Sequence, residues 1–151
     1  MEKKLNLDIE SKLNLATYLI LIVMAGFILP LILIYIIHFT GYSEVIEELA
    51  KAFVVLFLIL KLPKLKWQIL ATIIFGFLFG LSESVFYLSN IFQIGNLSIF
   101  WWRFLTAVPM HIVTSLVILF FARFSKKFIF IGFVLAVILH ILFNLLILNF
   151  R

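Results

Sequence analysis

The chain has 151 residues, of which 66% are hydrophobic and only 13% charged, with a formal net charge of +5 at pH 7. That apolar excess excludes an ordinary water-soluble domain, and the lack of cysteine excludes disulfides, thiolate metal sites and cysteine nucleophiles. What remains is an all-α integral membrane protein, a bundle of about five transmembrane helices that forms a single domain over residues 1–151.

In chain order, five stretches are long and apolar enough to cross about 30 Å of hydrocarbon: roughly residues 16–38, 45–62, 68–91, 99–121 and 128–149. The first is expected to be a retained span. Its apolar run is longer than that of a signal peptide, Glu2, Asp8 and Glu10 mix with the basic residues before it, and no small-residue cleavage site follows. The basic residues alternate. Lys3, Lys4 and Lys12 precede the first span, Lys61, Lys64 and Lys66 fill the second turn, and Arg123, Lys126 and Lys127 fill the fourth. The first turn (Phe39–Glu44) and the third (Phe92–Ser98) contain no Lys or Arg. The positive-inside rule then puts the N-terminus and the basic turns in the cytoplasm of a multi-pass cell-membrane protein, with Arg151 outside. Trp67 would mark the inner interface, and Tyr42, Trp101 and Trp102 the outer one. Topology alone accounts for these cations, so nucleic acid is not an expected partner. The lipid bilayer is.

Ionisable residues inside a span cost a few kcal/mol each (~2.5–3.5 on insertion scales) and mark functional positions. Here they are Glu47, Glu48 and Lys51 in the second span, Glu83 in the third, Arg103 and His111 in the fourth and His140 in the fifth, with Asn144 one turn beyond. At 1.5 Å per residue, Glu47, Glu48 and Lys51 lie roughly 3–9 Å below the outer surface and Glu83 about 12 Å. On the same scale His111 lies about 18 Å down, His140 about 14 Å and Asn144 about 7 Å. Four helices thus bring polar groups to the outer half of the bilayer. Facing agrees with depth. Lys51 can pair with Glu47 at i,i+4 or with Glu48 at i,i+3. Gly76, Gly80, Glu83 and Tyr87 share one face of the third helix, and Gly76-xxx-Gly80 lets a neighbouring helix approach just below the acid. Arg103, Ala107 and His111 form a stripe on the fourth helix, which Pro109 is expected to disturb locally. Glu44 and His38 read as interfacial residues, and the 19 phenylalanines as lipid-facing and packing material.

Two carboxylate positions, two imidazoles and an amide suit water activation and acyl transfer. Glu47 or Glu48 would serve as base, with Glu83 and His111 completing the site. His140 and Asn144 would donate to an oxyanion, and Lys51 and Arg103 would orient the carboxylates. Glu47, Glu83, His111 and His140 are equally competent ligands for a divalent metal such as zinc. Ser84 and Ser115 sit in no nucleophile motif. A chain of Glu and His in a membrane also suits a proton-coupled transporter, although FVVLFLIL, LVILFF and IFIGFVLAVIL leave the inner halves apolar. A non-catalytic immunity or binding protein of the same fold is a third reading.

The order EExxK (Glu47, Glu48, Lys51), FxxxE (Phe79, Glu83), RFLTAVPMH (Arg103, His111) and HxxxN (His140, Asn144) resembles the PrsW-type intramembrane proteases. These are relatives of the CAAX-protease and bacteriocin-processing membrane endopeptidases. The resemblance spans about residues 43–149, and the glutamate at position 83 points to the PrsW branch. It implies an endopeptidase in which the first motif's acids activate water, while the histidines and Asn144 position it or stabilise the oxyanion. It also implies a membrane-tethered substrate, an anti-sigma factor, cut near the outer face.

Overall fold

The computed structural model describes residues 2–88 and 98–149. They form α1 (Glu2–Thr40), α2 (Ser43–Lys61), α3 (Leu65–Phe86), α4 (Ser98–Phe124), a 3-10 turn (Lys126–Phe128) and α5 (Ile129–Asn149), with no strand among the described residues. The helix ends fall where local chemistry requires them. Gly41 takes φ +73°, a left-handed value that glycine adopts without strain, and closes α1 by donating from its N–H to the Ile37 carbonyl at 2.8 Å. Leu62 is extended (φ −99°, ψ 117°) because Pro63 follows it, and α2 stops there. The Gln68 side-chain amide then donates to the Leu62 carbonyl at 2.6 Å and ties the α2–α3 turn to the first turn of α3. Ser125 caps the 3-10 turn, its Oγ accepting from the Lys127 N–H at 3.4 Å. Helices α1 and α4 both run through an internal proline, Pro30 and Pro109.

Among the described residues, four segments are long and apolar enough to cross a membrane: Leu15–Thr40, Leu65–Phe86, Phe100–Phe124 and Lys126–Ile147. The chain is an all-α multi-pass membrane protein. The expected second span, α2, is a helix of 19 residues but not of that composition, because Glu44, Glu47, Glu48 and Lys51 crowd its first turns. Its placement explains how it carries them. Helix α3 packs between α1 and α4, α5 packs on α4, and α2 touches α1, α3, α4 and α5. One face of α2 joins Leu58 and Leu62 to a core with Ile22, Leu33, Ala71, Phe75 and Phe79. Another joins Ala52 and Val55 to Ile118, Leu119 and Ala136. The charges of α2 therefore meet protein, while α1 and α5 expose rows of Leu, Ile and Phe outward. Of the expected third span, α3 ends at Phe86. Residues 89–91 lie outside the described residues, as do most of the expected third turn and Arg151.

Helix α3 reaches α4 through the expected pair of glycines. A Cβ on Gly76 would lie 2.8 Å from the Ile112 Cα and 2.9 Å from the His111 carbonyl oxygen. One on Gly80 would lie 2.8 Å from the Val108 Cα and 3.0 Å from the His111 ring. Main chain against main chain leaves no flexible group to give way. Gly80→Ala is therefore expected to destabilise by about 1–3 kcal/mol, as overpacking does. In an open helix interior the same change gains up to about 1 kcal/mol. Equilibrium unfolding of the detergent-solubilised protein reads the sign.

Candidate active site

Helical periodicity separates the two adjacent glutamates of α2. Successive residues point about 100° apart around a helix of 3.6 residues per turn, so Glu47 and Glu48 face different neighbours. Glu48 turns into the protein and is fully buried. Its Oε1 accepts from the Lys51 Nζ at 2.6 Å and bonds the His140 Nδ1 at 2.8 Å. Lys51, also fully buried, donates its second bond to the Thr114 Oγ1 of α4 at 3.0 Å and lies 5.1 Å from the centroid of the Phe79 ring. Four residues from three helices thus form one neutralised cluster. A carboxylate only accepts, so the His140 Nδ1 carries a hydrogen and donates it to Glu48.

Glu47 turns toward α3. One ligand atom from each of Glu47, Glu83 and His111 lies within 4.8 Å of the other two. Glu83 accepts from the Arg103 guanidinium at 3.1 Å through Oε1 and bonds the His111 Nε2 at 2.5 Å through Oε2. The Arg103 guanidinium stacks over Tyr87, 3.7 Å from the ring centroid, which fixes its plane as well as its charge. His111 is fully buried between Phe79, at 5.0 Å between ring centroids, and the edge of His140, at 5.4 Å. The two clusters therefore touch through their imidazoles. Glu47 and Glu83 also line a cavity of about 250 Å³ between α1, α2 and α3, and the other carboxylate, Glu48, does not.

The structure brings Glu47, Glu48, Lys51, Glu83, Arg103, His111 and His140 into these two clusters. It places Asn144 elsewhere: its Nδ2 donates to the Glu44 Oε1 at 2.9 Å, and the Ser43 Oγ holds the other Glu44 oxygen at 3.0 Å. Glu44–Asn144 and Glu48–His140 are successive rungs between antiparallel helices, one turn apart on each. Glu44 is thus held by α5 instead of standing alone at the interface. The expected metal set also narrows. Among the described residues the close group is Glu47, Glu83 and His111, and His140 is engaged by Glu48. Arg103 pairs with Glu83. Of the serines, Ser84 donates to the Gly80 carbonyl of its own helix at 2.8 Å. Thr114 is the member that sequence reading missed. Its signal was its place three residues after His111, on the same helix face.

The donor set fits a divalent cation. Two carboxylates and an imidazole are three protein ligands of the kind catalytic zinc sites use, with a coordination position left over. Glu47 Oε2 and His111 Nδ1 are buried with no hydrogen-bond partner among the described residues. Buried polar atoms normally have one, so both suit a site that works with water or an ion.

The family model described as PrsW family intramembrane metalloprotease matches residues 15–151, which takes in most of α1 as well as the motif-bearing helices. No curated protein matches the chain, and no solved structure does.

The Glu48 cluster yields a stability prediction. Lys51→Met leaves a fully buried carboxylate without its cation, a loss of about 3–5 kcal/mol for a buried pair broken on one side. Adding Glu48→Gln should recover most of it. A double-mutant cycle by equilibrium unfolding measures the coupling directly.

Proposed function

The chain belongs to the PrsW family of intramembrane metalloproteases, and from that premise we propose that it hydrolyses a peptide bond of a membrane-tethered protein near the outer face of the membrane. The observation that carries this reading is the convergence of Glu47, Glu83 and His111 within 4.8 Å beside a cavity that reaches both acids. Glu47 is the base that takes the proton of the attacking water. It is the α2 glutamate that lines the cavity, and its Oε2 has no hydrogen-bond partner among the described residues. Glu48 is a positioning residue: it accepts from the His140 Nδ1 and leaves Nε2 as the ring atom that first takes up the proton released from the attacking water by way of Glu47 and then gives it to the leaving amine. Arg103 orients Glu83. Asn144, bonded to Glu44 through one N–H, holds α5 to the mouth of α2 and keeps its second N–H for an oxyanion.

Glu47, Glu83 and His111 would hold the cation that the family name implies. A divalent ion there acidifies water and polarises a carbonyl. A carboxylate that gives one oxygen to a cation keeps the other for a proton. The orientation, N-terminus in the cytoplasm, and the outer-half site rest on the alternation of basic turns. The anti-sigma-factor class of substrate rests on the resemblance of the four motifs.

Glu47→Gln is expected to lower cleavage of a tethered substrate by roughly 10²–10⁴-fold, the usual contribution of a general base. His111→Ala should lower both cleavage and bound metal, and a chelator should do the same to the wild type. Cleavage at the wild-type rate by purified Glu47→Gln, Glu83→Gln and His111→Ala rejects the assignment.

Topology is tested on a chain that contains no cysteine. A single cysteine at Tyr42 should react with an impermeant maleimide in intact cells, and one at Lys127 only after permeabilisation. The reverse pattern inverts the orientation and moves the site to the inner face.

A further inference from the structure

The cavity beside Glu47 and Glu83 has a shape and lining that bear on what the site accepts. Its described walls come from three helices: Pro30, Ile34 and Ile37 from α1, and Phe79, Phe86 and Tyr87 from α3, with the two carboxylates of α2 and α3 between them. His38 and Ser43 stand at the α1–α2 turn. The cavity, about 250 Å³, has room for a large side chain. A segment that reaches the carboxylates places a side chain against these walls. The α1 and α3 walls offer hydrocarbon and aromatic faces, so its side chain is apolar. An acidic side chain would face Glu47 and Glu83 and meet like charge.

The wall on α1 is built onto α3. The Ser82 Oγ donates to the Phe27 carbonyl at 2.9 Å, and a Cβ on Gly26 would lie 2.7 Å from the Leu78 Cβ. These contacts fix α1 on α3 just before Pro30, and the next turns, with Ile34 and Ile37, form the cavity wall. Ile34 is the branched aliphatic residue one turn beyond that proline, in the middle of the wall.

We propose that this cavity is the subsite for one large apolar side chain next to the scissile bond, entering between α1 and α3, with Ile34 setting the size accepted. The proposal rests on the protease reading above and names the substrate feature that reading lacks.

The test uses the full chain and single-span test proteins whose residues just outside the span carry, one position at a time, Gly, Ala, Leu, Phe or Asp. Wild type should favour Leu or Phe over Gly and Asp at one position by at least about 10-fold in kcat/KM, the discrimination an apolar pocket gives. Ile34→Trp should shift that preference toward Gly and Ala by about 10-fold, and Ile34→Ala toward Phe. Ile32→Trp, on an outward-facing position of α1, should leave it alone. In parallel, a benzoylphenylalanine at position 34 in the Glu47→Gln chain should crosslink to the test protein, and one at position 32 should not. Cleavage that ignores residue size at every position, or that falls equally for all substrates in Ile34→Trp, overturns the subsite and leaves the protease reading intact. So does a crosslink to lipid in place of the test protein. Crosslinking at position 34 without cleavage by any chain supports the subsite and rejects the hydrolytic reading. Neither crosslinking nor cleavage rejects both.

Discussion

The structure depends on one shared atom, the Glu48 Oε1, which bonds both Lys51 and His140 in a place from which solvent is absent. A charge buried in a membrane protein must be neutralised by protein, and both partners here must be held at hydrogen-bond distance at once. Lys51 reaches Glu48 from the same helix and Thr114 from α4, and His140 reaches it from α5. Satisfying a single carboxylate therefore fixes the relative placement of three helices. The glycines of α3 do the corresponding work without charge, letting α4 come close enough to set His111 against Glu83.

From that arrangement the division of labour between two adjacent acids follows. Residues next to each other on a helix cannot share a neighbour, so committing Glu48 to the α4–α5 side leaves Glu47 facing α3. A glutamate already bonded by a lysine and a histidine is a poor base, which is why the proposed base is Glu47, the one that lines the cavity. The sequence motif offers two candidates because it lists residues in one dimension. Packing distinguishes them because Glu48 is bonded directly by Lys51 and His140, while Glu47 faces the cavity.

Much of the fold could be read from the residues themselves. Apolar runs of spanning length located the helices, and boundaries shifted by only a few residues where Gly41, Pro63 and Ser125 fixed the ends. Intrahelical spacing anticipated the Glu48–Lys51 pair and the close approach at Gly76 and Gly80. Partners on other helices were less legible. Spacing along one helix says which residues share a face, and says nothing of which face of another helix will meet it. That is why Asn144 was grouped with His140 as a donor, while the structure pairs each with a different acid of α2. It is also why Thr114, a hydroxyl with no charge to attract notice, went unmarked until Lys51 was seen to need a second acceptor.

The central position of α2 links these observations to chemistry. A helix facing lipid cannot carry three acids and a lysine in its first turns at the cost membranes impose. One whose charged face packs against other helices can, provided every charge finds a partner or a use. Glu44 and Glu48 find partners on α5, and Lys51 finds two acceptors. Glu47 and Glu48 each keep one buried oxygen with no hydrogen-bond partner among the described residues, and of the two Glu47 is the one that lines the cavity. Stability favours replacing such a group with an apolar one, because an unsatisfied buried carboxylate costs free energy that packing would otherwise supply. The presence of Glu47 at a cavity between α1, α2 and α3 is the pattern expected where folding stability has been exchanged for reactivity.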